Sequence, residues 1–364
     1  MADFVVWAGG MASDAMLDRR FGKSGRVAYR RTELEATKLV ERLIAAQDIA
    51  VDRHSRGETM LAHRPKDLDE LKSYAGTIAE NYGVDCTVHS RGDLSTLGMA
   101  GPFHGGLTVD AGFGLNPRKY LAGLARAAEK AGARIFEHSA VTEIVAKAAG
   151  WSVQVNGHLI DADHVIIATN GYSSDDLPAW LGGRYLPSQS NVIVTRPLTD
   201  DEVATAGWST DQMAYDTRNL IHYFRLMPDR RFLFGMRGGV LTGAAAEARA
   251  TARVRADFAR MFPAWRQVET TPSWSGLVCL ARDRLPFVGA VPSQPGLWAG
   301  MCYHGNGVAM GSYAGALLAQ MIVSRNSELP YPEAMKSPLR RFGLGRLRRA
   351  LIPLAYSAYA LSDF

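Results

Sequence analysis

Residues 304–309, with the sequence His-Gly-Asn-Gly-Val-Ala, form the pattern in this chain that most directly suggests ligand chemistry. The apolar run 296–300 before them predicts a buried strand, and the small and apolar residues 312–322 after them predict a helix packed on a sheet. A helix that begins at such a turn directs free backbone N–H groups, and a partial charge of about +0.5, at whatever faces it. The turn therefore suits an electron-rich ligand, and a strand–helix connection without any ligand is the alternative.

Further side chains could act on a small molecule. Tyr223 and Arg225 are two residues apart in an apolar run, so a strand would place both on one face. Tyr223 could close an apolar slot, and Arg225 or Arg237 could bind a carboxylate through a bidentate guanidinium fork. The imidazole of His304 could tune the protonation of an amine near neutral pH. A solvated arginine on a sheet face and a histidine that only packs are the alternatives.

The helices that must position these residues are indicated by periodicity and capping. Apolar residues recur at helical spacing in residues 31–47, and residues 65–82 also predict a helix. Asn116 is a typical N-cap before Pro117, and the helix that follows is expected to end at Lys130. These helices therefore separate stretches with the period of strands.

Apolar and β-branched runs predict strands at residues 58–63, 134–137, 141–145, 151–155, 158–160, 165–169, 191–195, 221–227 and 231–236. The Asn156-Gly157 dipeptide predicts a hairpin turn. The run 165–169 is apolar on both faces, as in a buried parallel strand. The strands of residues 185–275 are expected to form an antiparallel sheet, followed by a helix over 244–261. Interleaving of these patterns predicts two domains, each assembled from separate stretches of chain.

Composition argues against several classes of protein. With 364 residues, 47% of them hydrophobic, the chain can bury one or two sizeable cores. Its 41 Lys and Arg against 36 Asp and Glu give a net charge of +5 without a basic stripe, so no nucleic-acid partner is expected. Cys86, Cys279 and Cys302 lack CxxC spacing, so no metal site is expected. With no membrane-span pattern and no signal-peptide pattern, a cytoplasmic protein is expected.

Motifs in a fixed order give the chain a resemblance to one flavoenzyme superfamily. They are residues 106–112 (GLTVDAG), 115–120 (LNPRKY), 165–172 (VIIATNGY), 274–289 (WSGLVCLARDRLPFVG) and 304–309. The chain resembles the FAD-dependent oxidoreductases that include D-amino-acid oxidase, glycine oxidase and sarcosine oxidase. It is most similar to proteins of the γ-glutamylputrescine oxidoreductase type.

This resemblance implies FAD as the cofactor and a primary or secondary amine or amino acid, γ-glutamylputrescine-like or related, as the substrate. In such enzymes the α-carbon of the substrate delivers a hydride to flavin N5, the imine hydrolyses, and oxygen or another acceptor reoxidises the flavin. The implied fold is mixed α/β (α+β), with a Rossmann-like FAD-binding domain, truncated at its N-terminus, interleaved with an antiparallel-sheet substrate domain. The expected segments are 1–57, 112–182 and 276–330 for FAD, 58–111 and 183–275 for substrate, and 331–364 as a basic C-terminal tail.

Spacing, side-chain chemistry and the resemblance together give the candidate site residues. Tyr223, Arg225, Arg237 and His304 are the catalytic candidates, from their spacing and chemistry. Backbone donors to the pyrimidine edge of the flavin are expected at Gly305, Asn306, Gly307, Val308 and Ala309. Other cofactor contacts are expected at Gly9, Gly10, Val141, Thr169, Asn170, Gly171 and Asp283. Cys279 lies near the position where sarcosine oxidases tether flavin, but its spacing to Asp283 differs, which favours a buried thiol.

The chain departs from the family pattern at its amino terminus. The family's dinucleotide site needs a strand, a G-x-G-x-x-G turn, a helix and a second strand ending in an acid. Here Gly9-Gly10 is followed by Met-Ala-Ser. Aligning this glycine pair with the pair that follows the dinucleotide unit in relatives leaves roughly 40 residues of that unit absent, and residues 1–8 could derive from a wrong frame or start. Two hypotheses follow: an FAD-dependent amine oxidoreductase, or a non-catalytic truncated remnant with weak or no FAD binding.

Overall fold

The computed structural model describes residues 4–5, 10–239, 243–324 and 328–363. The helices in these ranges are α1 (Asp14–Ala46), α2 (Pro65–Tyr82), α3 (Arg91–Thr96), α4 (Pro117–Lys130), α5 (Asp200–Ala206), α6 (Ala244–Met261), α7 (Gly307–Ser324), α8 (Glu333–Lys336) and α9 (Leu351–Ser362). The strands are β1 (Phe4–Val5), β2 (Glu58–Leu61), β3 (Cys86–Ser90), β4 (Gly105–Val109), β5 (Gly114–Leu115), β6 (Val141–Ala146), β7 (Trp151–Val155), β8 (His158–Ala162), β9 (Val165–Ile167), β10 (Leu186–Thr195), β11 (Met213–Asp216), β12 (His222–Leu226), β13 (Phe232–Arg237), β14 (Thr270–Leu280), β15 (Phe287–Ala290) and β16 (Leu297–Met301).

The largest sheet has eight strands in the order β14-β10-β13-β12-β11-β2-β4-β3. Neighbours in this sheet are antiparallel except for β11 and β2, which are parallel. One face packs on an aromatic core in which the rings of Phe224 and Phe234 stack with centroids 5.7 Å apart and Phe258 of α6 covers them. Because side chains alternate along a strand, Tyr223 and Arg225 lie on the opposite face, away from this core.

A second layer is built around a three-stranded sheet of order β15-β16-β9, in which β16 and β9 are parallel. Helices α1, α4 and α7 bury apolar side chains against it and against one another. A further three-stranded sheet consists of β6, β7 and β8, and β1 pairs with β5. Mixed α/β architecture, the fold class expected from the sequence, is confirmed.

Several sequence predictions agree closely with these elements. Helices α2, α4 and α6 have the predicted bounds, and the side chain of Asn116 accepts a hydrogen bond from the Lys119 amide at 3.2 Å, as an N-cap does. Asn156 and Gly157 turn with positive φ angles of 49° and 80°, as the hairpin prediction requires. The first predicted helix is longer than expected because α1 starts at Asp14.

Two strand predictions need correction. Residues 134–137 form no strand, because within the described ranges no neighbouring strand lies beside them to supply hydrogen-bond partners. Strand β9 is parallel as predicted but is not buried on both faces, since Ile166 is 46% exposed. An apolar run therefore identified the strand but overstated how much of it is covered.

His222 ties the large sheet to the helix behind it. Its Nδ1 lies 2.8 Å from Asp216 and its Nε2 lies 3.2 Å from Asp257 of α6. Burial alone would lower the pKa of His222, but the hydrogen bonds and charges of the two carboxylates outweigh burial and raise it. A raised histidine pKa stabilises the fold below the unfolded pKa of about 6.5, and this stabilisation is lost as pH rises through the folded pKa.

We therefore expect the melting temperature to fall as pH increases from about 6.5 to 9, and to fall less steeply in His222→Gln. At about pH 6 this variant should lose about 3 kcal/mol of stability, because a buried carboxylate loses its partner. His158→Gln, at an exposed position of β8, is the matched control and should keep the wild-type slope. Parallel slopes for wild type and His222→Gln would show that His222 is not the titrating group.

Candidate active site

A cavity of about 930 Å³ lies between the large sheet and the turn that precedes α7. Strand register explains which side chains form its wall. Tyr223 of β12 is paired with Tyr215 of β11 on one side and with Gly235 of β13 on the other, and Tyr215 is paired with Met60 of β2. Since paired residues project to the same face, this row forms the middle of the cavity wall.

Tyr223 lies across the neighbouring strand because Gly235 has no side chain. A Cβ at Gly235 would overlap the Tyr223 ring. The Tyr223 hydroxyl is 2.8 Å from the hydroxyl of Ser190 on β10, and burial raises the pKa of Tyr223. Tyr223 is therefore a neutral hydrogen-bonding group at physiological pH, and Arg225, 2% exposed, follows it on the same face.

The turn before α7 reaches the cavity through left-handed backbone. Cys302, His304 and Gly305 have φ angles of 66°, 56° and 112°, and Gly305 and Asn306 lie in the cavity wall. A Cβ at Gly305 would lie 2.8 Å from the Arg237 Nη2 atom. The amides of the first turn of a helix have no acceptor within the helix, so α7 begins with free donors just beyond the cavity wall.

Arg237 and His304 hold this turn in place. The Arg237 Nη2 atom donates to the His304 carbonyl oxygen at 3.0 Å, and the Ala281 amide donates to His304 Nε2 at 2.9 Å. Burial, together with the charges of Arg237 and Arg284, lowers the pKa of His304 to about 3. The imidazole is therefore neutral and its Nε2 is engaged with backbone, which favours the alternative of a histidine that packs; a role of His304 in tuning the protonation of an amine stays a prediction.

Gly10, which precedes α1, lines the cavity and is held by a buried ionic cluster. Arg30 donates to Glu33 at 3.0 Å, to Asp14 at 2.8 Å and to the Ala12 carbonyl oxygen at 2.5 Å. A Cβ at Gly10 would overlap the Glu33 carboxylate. The Gly10–Ala12 backbone is therefore positioned by charges that the sequence analysis did not identify.

Other expected cofactor residues lie near the cavity but outside its wall. Gly307, Val308 and Ala309 form the first turn of α7. Asn170, next to Thr169, accepts a hydrogen bond from the Cys302 amide at 3.0 Å through its side chain, and a Cβ at Gly171 would overlap the Leu277 carbonyl oxygen. These residues adjoin the α7 turn and β14.

The remaining candidates do not line the cavity or lie outside the described ranges. Asp283 forms an ion pair with Arg20 at 2.6 Å. Val141 is 39% exposed on β6, in a different sheet from the cavity wall. Gly9 lies outside the described residues. Cys279 is a buried free thiol whose Sγ lies 3.3 Å from that of Cys302.

The sequence analysis missed two features of the cavity. Glu58 on β2 lies in the wall on the same face as Met60, and Tyr356 and Tyr359 of α9 also line it. The alternation Glu58-Thr59-Met60 could have indicated an acid on the cavity face, but only the register between β2 and β11 shows which face that is. The C-terminal segment, expected as a basic tail, contributes aromatic side chains to the cavity.

Comparison with known proteins identifies the family to which this chain belongs. Residues 4–321 match the DAO family, described as FAD dependent oxidoreductase. The chain belongs to the DAO family. FAD dependence and oxidoreductase activity, both expected from the sequence, are thereby confirmed for this DAO family member.

Relatives of this DAO protein agree with that assignment. It is 29% identical over 323 residues to the probable oxidoreductase OrdL of Rhizobium meliloti strain 1021, covering 87% of this chain and 73% of that protein. It is 30% identical over 262 residues to the gamma-glutamylputrescine oxidoreductase of Escherichia coli strain K12, covering 72% of this chain and 60% of that protein. The crystal structure of glycine oxidase from Geobacillus kaustophilus superposes with a TM-score of 0.72 at 19% identity, covering 93% of this chain and 87% of that one, which shows the same fold.

Two further observations concern the described ranges of the DAO chain. Their helices are each too short or too polar to cross a lipid bilayer. They contain no group of three or more His, Cys, Asp or Glu side chains arranged to hold a metal ion.

Proposed function

We propose that this chain oxidises a primary or secondary amine or an amino acid, γ-glutamylputrescine-like or related, with FAD as cofactor and oxygen or another electron acceptor. The observation that carries the proposal is the shared cavity of the α7 turn and the Tyr223–Arg225 face of β12. The alternative of a non-catalytic remnant is not favoured, since the family match extends over residues 4–321.

The residues at the α7 end of the cavity fit the flavin ring. Because Gly305 has no side chain, its backbone is accessible from the cavity at a point where a Cβ would approach Arg237. Gly10 is a second glycine in the cavity wall. We propose that Gly10, Gly305, Asn306 and the first-turn amides of α7 hold the ring, with the segments 1–57, 112–182 and 276–330 as the FAD-binding domain. When bound, FAD supplies a two-electron acceptor for a hydride from the substrate carbon.

The chain's own residues bind and orient the substrate in this proposal. Tyr223 supplies a neutral hydroxyl and an aromatic wall, and Arg225 offers a planar fork for a carboxylate. Arg237 and His304 act as positioning residues for the turn that bears Gly305. No general base is required, because a neutral amine carries the electron pair that drives the transfer.

The proposed function is tested by anaerobic mixing of the FAD-loaded protein with a panel of amines and amino acids. We expect at least one γ-glutamyl amine, simple amine or amino acid to bleach the flavin absorbance at about 450 nm. A panel of hydroxy acids serves as the matched control and should leave the absorbance unchanged. Reduction by hydroxy acids alone, or by no compound in either panel, would contradict the proposal.

Arg225→Met is expected to lower kcat/KM for a carboxylate-bearing substrate by roughly tenfold to a hundredfold, because one charge-assisted contact is lost. A simple alkylamine should be affected much less. Arg225→Lys should recover only part of the loss, since an ammonium cannot form the bidentate fork. Steady-state kinetics with both substrates measures this, and an equal loss for the two would exclude a carboxylate-binding role.

A further inference from the structure

Helix α9 covers one end of the cavity, and the proposed function assigns it no role. Tyr356 and Tyr359 of this helix line the cavity. Burial raises the pKa of Tyr356, against the opposing effects of the Ser188 hydrogen bond and the Arg237 charge. Arg237 in turn donates to the His304 carbonyl oxygen in the turn before α7. Helix α9 therefore covers the end of the cavity beside that turn.

The residues along β10 show that α9 lies on the cavity face of the large sheet. Leu186, Ser190 and Val192 project from one face of this strand and line the cavity. Ser188 projects from the same face, but it is fully buried, and its hydroxyl is hydrogen-bonded to the Tyr356 hydroxyl of α9. Movement of α9 away from β10 would therefore expose Ser188 and open the cavity beside Ser190 to solvent.

A set of hydrogen bonds, which we call the latch, holds the other end of α9. The Asp363 carboxylate accepts from the Asn219 backbone amide at 2.9 Å, the Asn219 side-chain amide at 2.7 Å and the Leu220 amide at 3.2 Å. Ser362 accepts from the Asn219 side chain at 3.0 Å and, through its carbonyl oxygen, from Arg64 at 2.7 Å. Asn219 and Leu220 themselves line the cavity, so the latch joins α9 directly to the cavity wall.

The two contacts of α9 lie on opposite sides of the same end of the cavity. Ser188 belongs to β10, and Asn219 lies between β11 and β12, so two to three strand spacings, about 10–14 Å, separate them. The Arg237 amide donates at 3.1 Å to the carbonyl oxygen of Ile221, two residues from Asn219, so the latch is at the Arg237 end of the sheet. The α9 backbone rises about 10 Å between its two contacts, which matches this span.

The start of α9 is held more firmly than the latch holds its end. Arg348 lies just before α9, is 1% exposed and donates to the Asp175 carboxylate at 3.0 Å. Breaking a buried ion pair of this kind is strongly unfavourable. In the latch, Asn219 and Ser362 are exposed, so water can replace the hydrogen bonds that opening would break, and their net contribution is small. Helix α9 therefore has a fixed end at Arg348 and a releasable end at Asp363.

We propose that α9 is a lid that controls the access of solvent and small molecules to this end of the cavity, with its pivot near Arg348 and its closed position held by the latch. The closed lid keeps water away from the group that reacts there, and its opening admits substrate and releases product. Because the latch is weak, the open conformation is expected to be a minor one, with a population of about 0.1–10%. This inference goes beyond the proposed function, since it holds whichever small molecule the cavity binds.

The test measures how fast a reagent reaches a thiol placed under the lid. The FAD-loaded protein carries Ser190→Cys together with Cys86→Ser, which removes the partly exposed native thiol. It is treated with iodoacetamide, and mass spectrometry follows the alkylation of each cysteine. Asp363→Ala removes the acceptors of the latch and is expected to raise the alkylation rate of the introduced thiol about tenfold or more. Equal rates with and without Asp363→Ala would overturn the proposal.

Two controls separate lid opening from other effects of the substitution. Cys279 and Cys302 are buried, so their alkylation reports unfolding and should stay slow in every variant. A parallel rise at these two thiols in Asp363→Ala would show general loosening of the fold and would also overturn the proposal. Asp211→Ala, at an exposed position before β11, likewise removes one carboxylate and should keep the parent rate.

Asn219→Ala tests the partner side of the latch. It removes the side-chain donor to Asp363 and Ser362 but keeps both backbone amide donors, so the alkylation rate should rise less than in Asp363→Ala. The double variant should react at nearly the rate of Asp363→Ala alone, because the two side chains act through one contact. Effects that multiply independently would contradict a shared latch. Because alkylation needs neither an amine nor turnover, its failure is distinct from a failure of amines to reduce the flavin.

Discussion

Gly305→Val is expected to weaken FAD binding at least a hundredfold, which is about 2.7 kcal/mol. A β-branched residue is strained at the φ of 112° observed there, and its Cβ would lie 2.8 Å from Arg237 Nη2. Relief of the φ strain displaces the backbone that leads into α7, and movement of the Arg237 guanidinium removes its hydrogen bond to the His304 carbonyl oxygen. Equilibrium titration by flavin fluorescence gives the Kd directly.

Gly315→Val is the matched control for this substitution. Gly315 lies on α7, the helix that follows Gly305, and a Cβ there meets nothing within 4 Å. We expect its Kd for FAD to stay within about twofold of wild type, which corresponds to about 0.4 kcal/mol. Comparable losses in both variants would mean that damage to α7, and not loss of the open backbone at Gly305, explains the effect.

Arg30→Met is expected to destabilise the fold by about 3–5 kcal/mol, because it leaves the fully buried Glu33 carboxylate without its cationic partner. Burial already raises the pKa of Glu33 against the opposing charge of Arg30. The substitution also removes the donor to the Ala12 carbonyl oxygen, so FAD affinity should fall together with stability. Urea unfolding measured with and without FAD reports both effects.

Arg42→Met on the same helix provides the comparison. The Arg42 side chain is 53% exposed and lies 3.7 Å from Glu35, and such a surface pair contributes about 0–1 kcal/mol. We expect the midpoint of unfolding to change little. Similar destabilisation by both substitutions would show that the Arg30 cluster has no special role.

Local signals predicted the helices well because the physical causes are local. Asn116 followed by Pro117 predicts the start of α4, since both a side-chain acceptor and a fixed φ favour a helix N-terminus. The Asn156-Gly157 turn is predicted for the same reason, because few residues adopt its positive φ angles. The DAO fold and FAD were predicted from the resemblance, because several motifs in a fixed order are more specific than any one of them.

The strand at residues 134–137 was wrongly predicted because pairing is not a local property. An apolar run forms a strand only where a neighbouring strand supplies hydrogen-bond partners. The exposure of the β9 side chains likewise depends on which other elements pack against this strand, and the residues of β9 do not determine that. Apolar character alone therefore predicts these elements less reliably than capping signals predict helices.

The candidate site residues show the same difference between local and tertiary causes. Gly305 and Asn306 were predicted from a continuous motif and lie in the cavity wall, although their contacts with FAD remain a prediction. Glu58 was missed because its place in the cavity wall depends on the register between β2 and β11, which are distant in the chain. The lowered pKa of His304 depends on burial and on nearby arginines, which the sequence does not reveal.

The most direct test of the account is whether FAD occupies the cavity at the α7 turn. After incubation with excess FAD and gel filtration, wild-type protein is expected to elute with flavin absorbance at about 450 nm. Gly315→Val should retain this absorbance and Gly305→Val should lose most of it. A colourless wild-type protein, or equal flavin retention by Gly305→Val, would contradict the claim that the amides at the start of α7 bind the flavin ring.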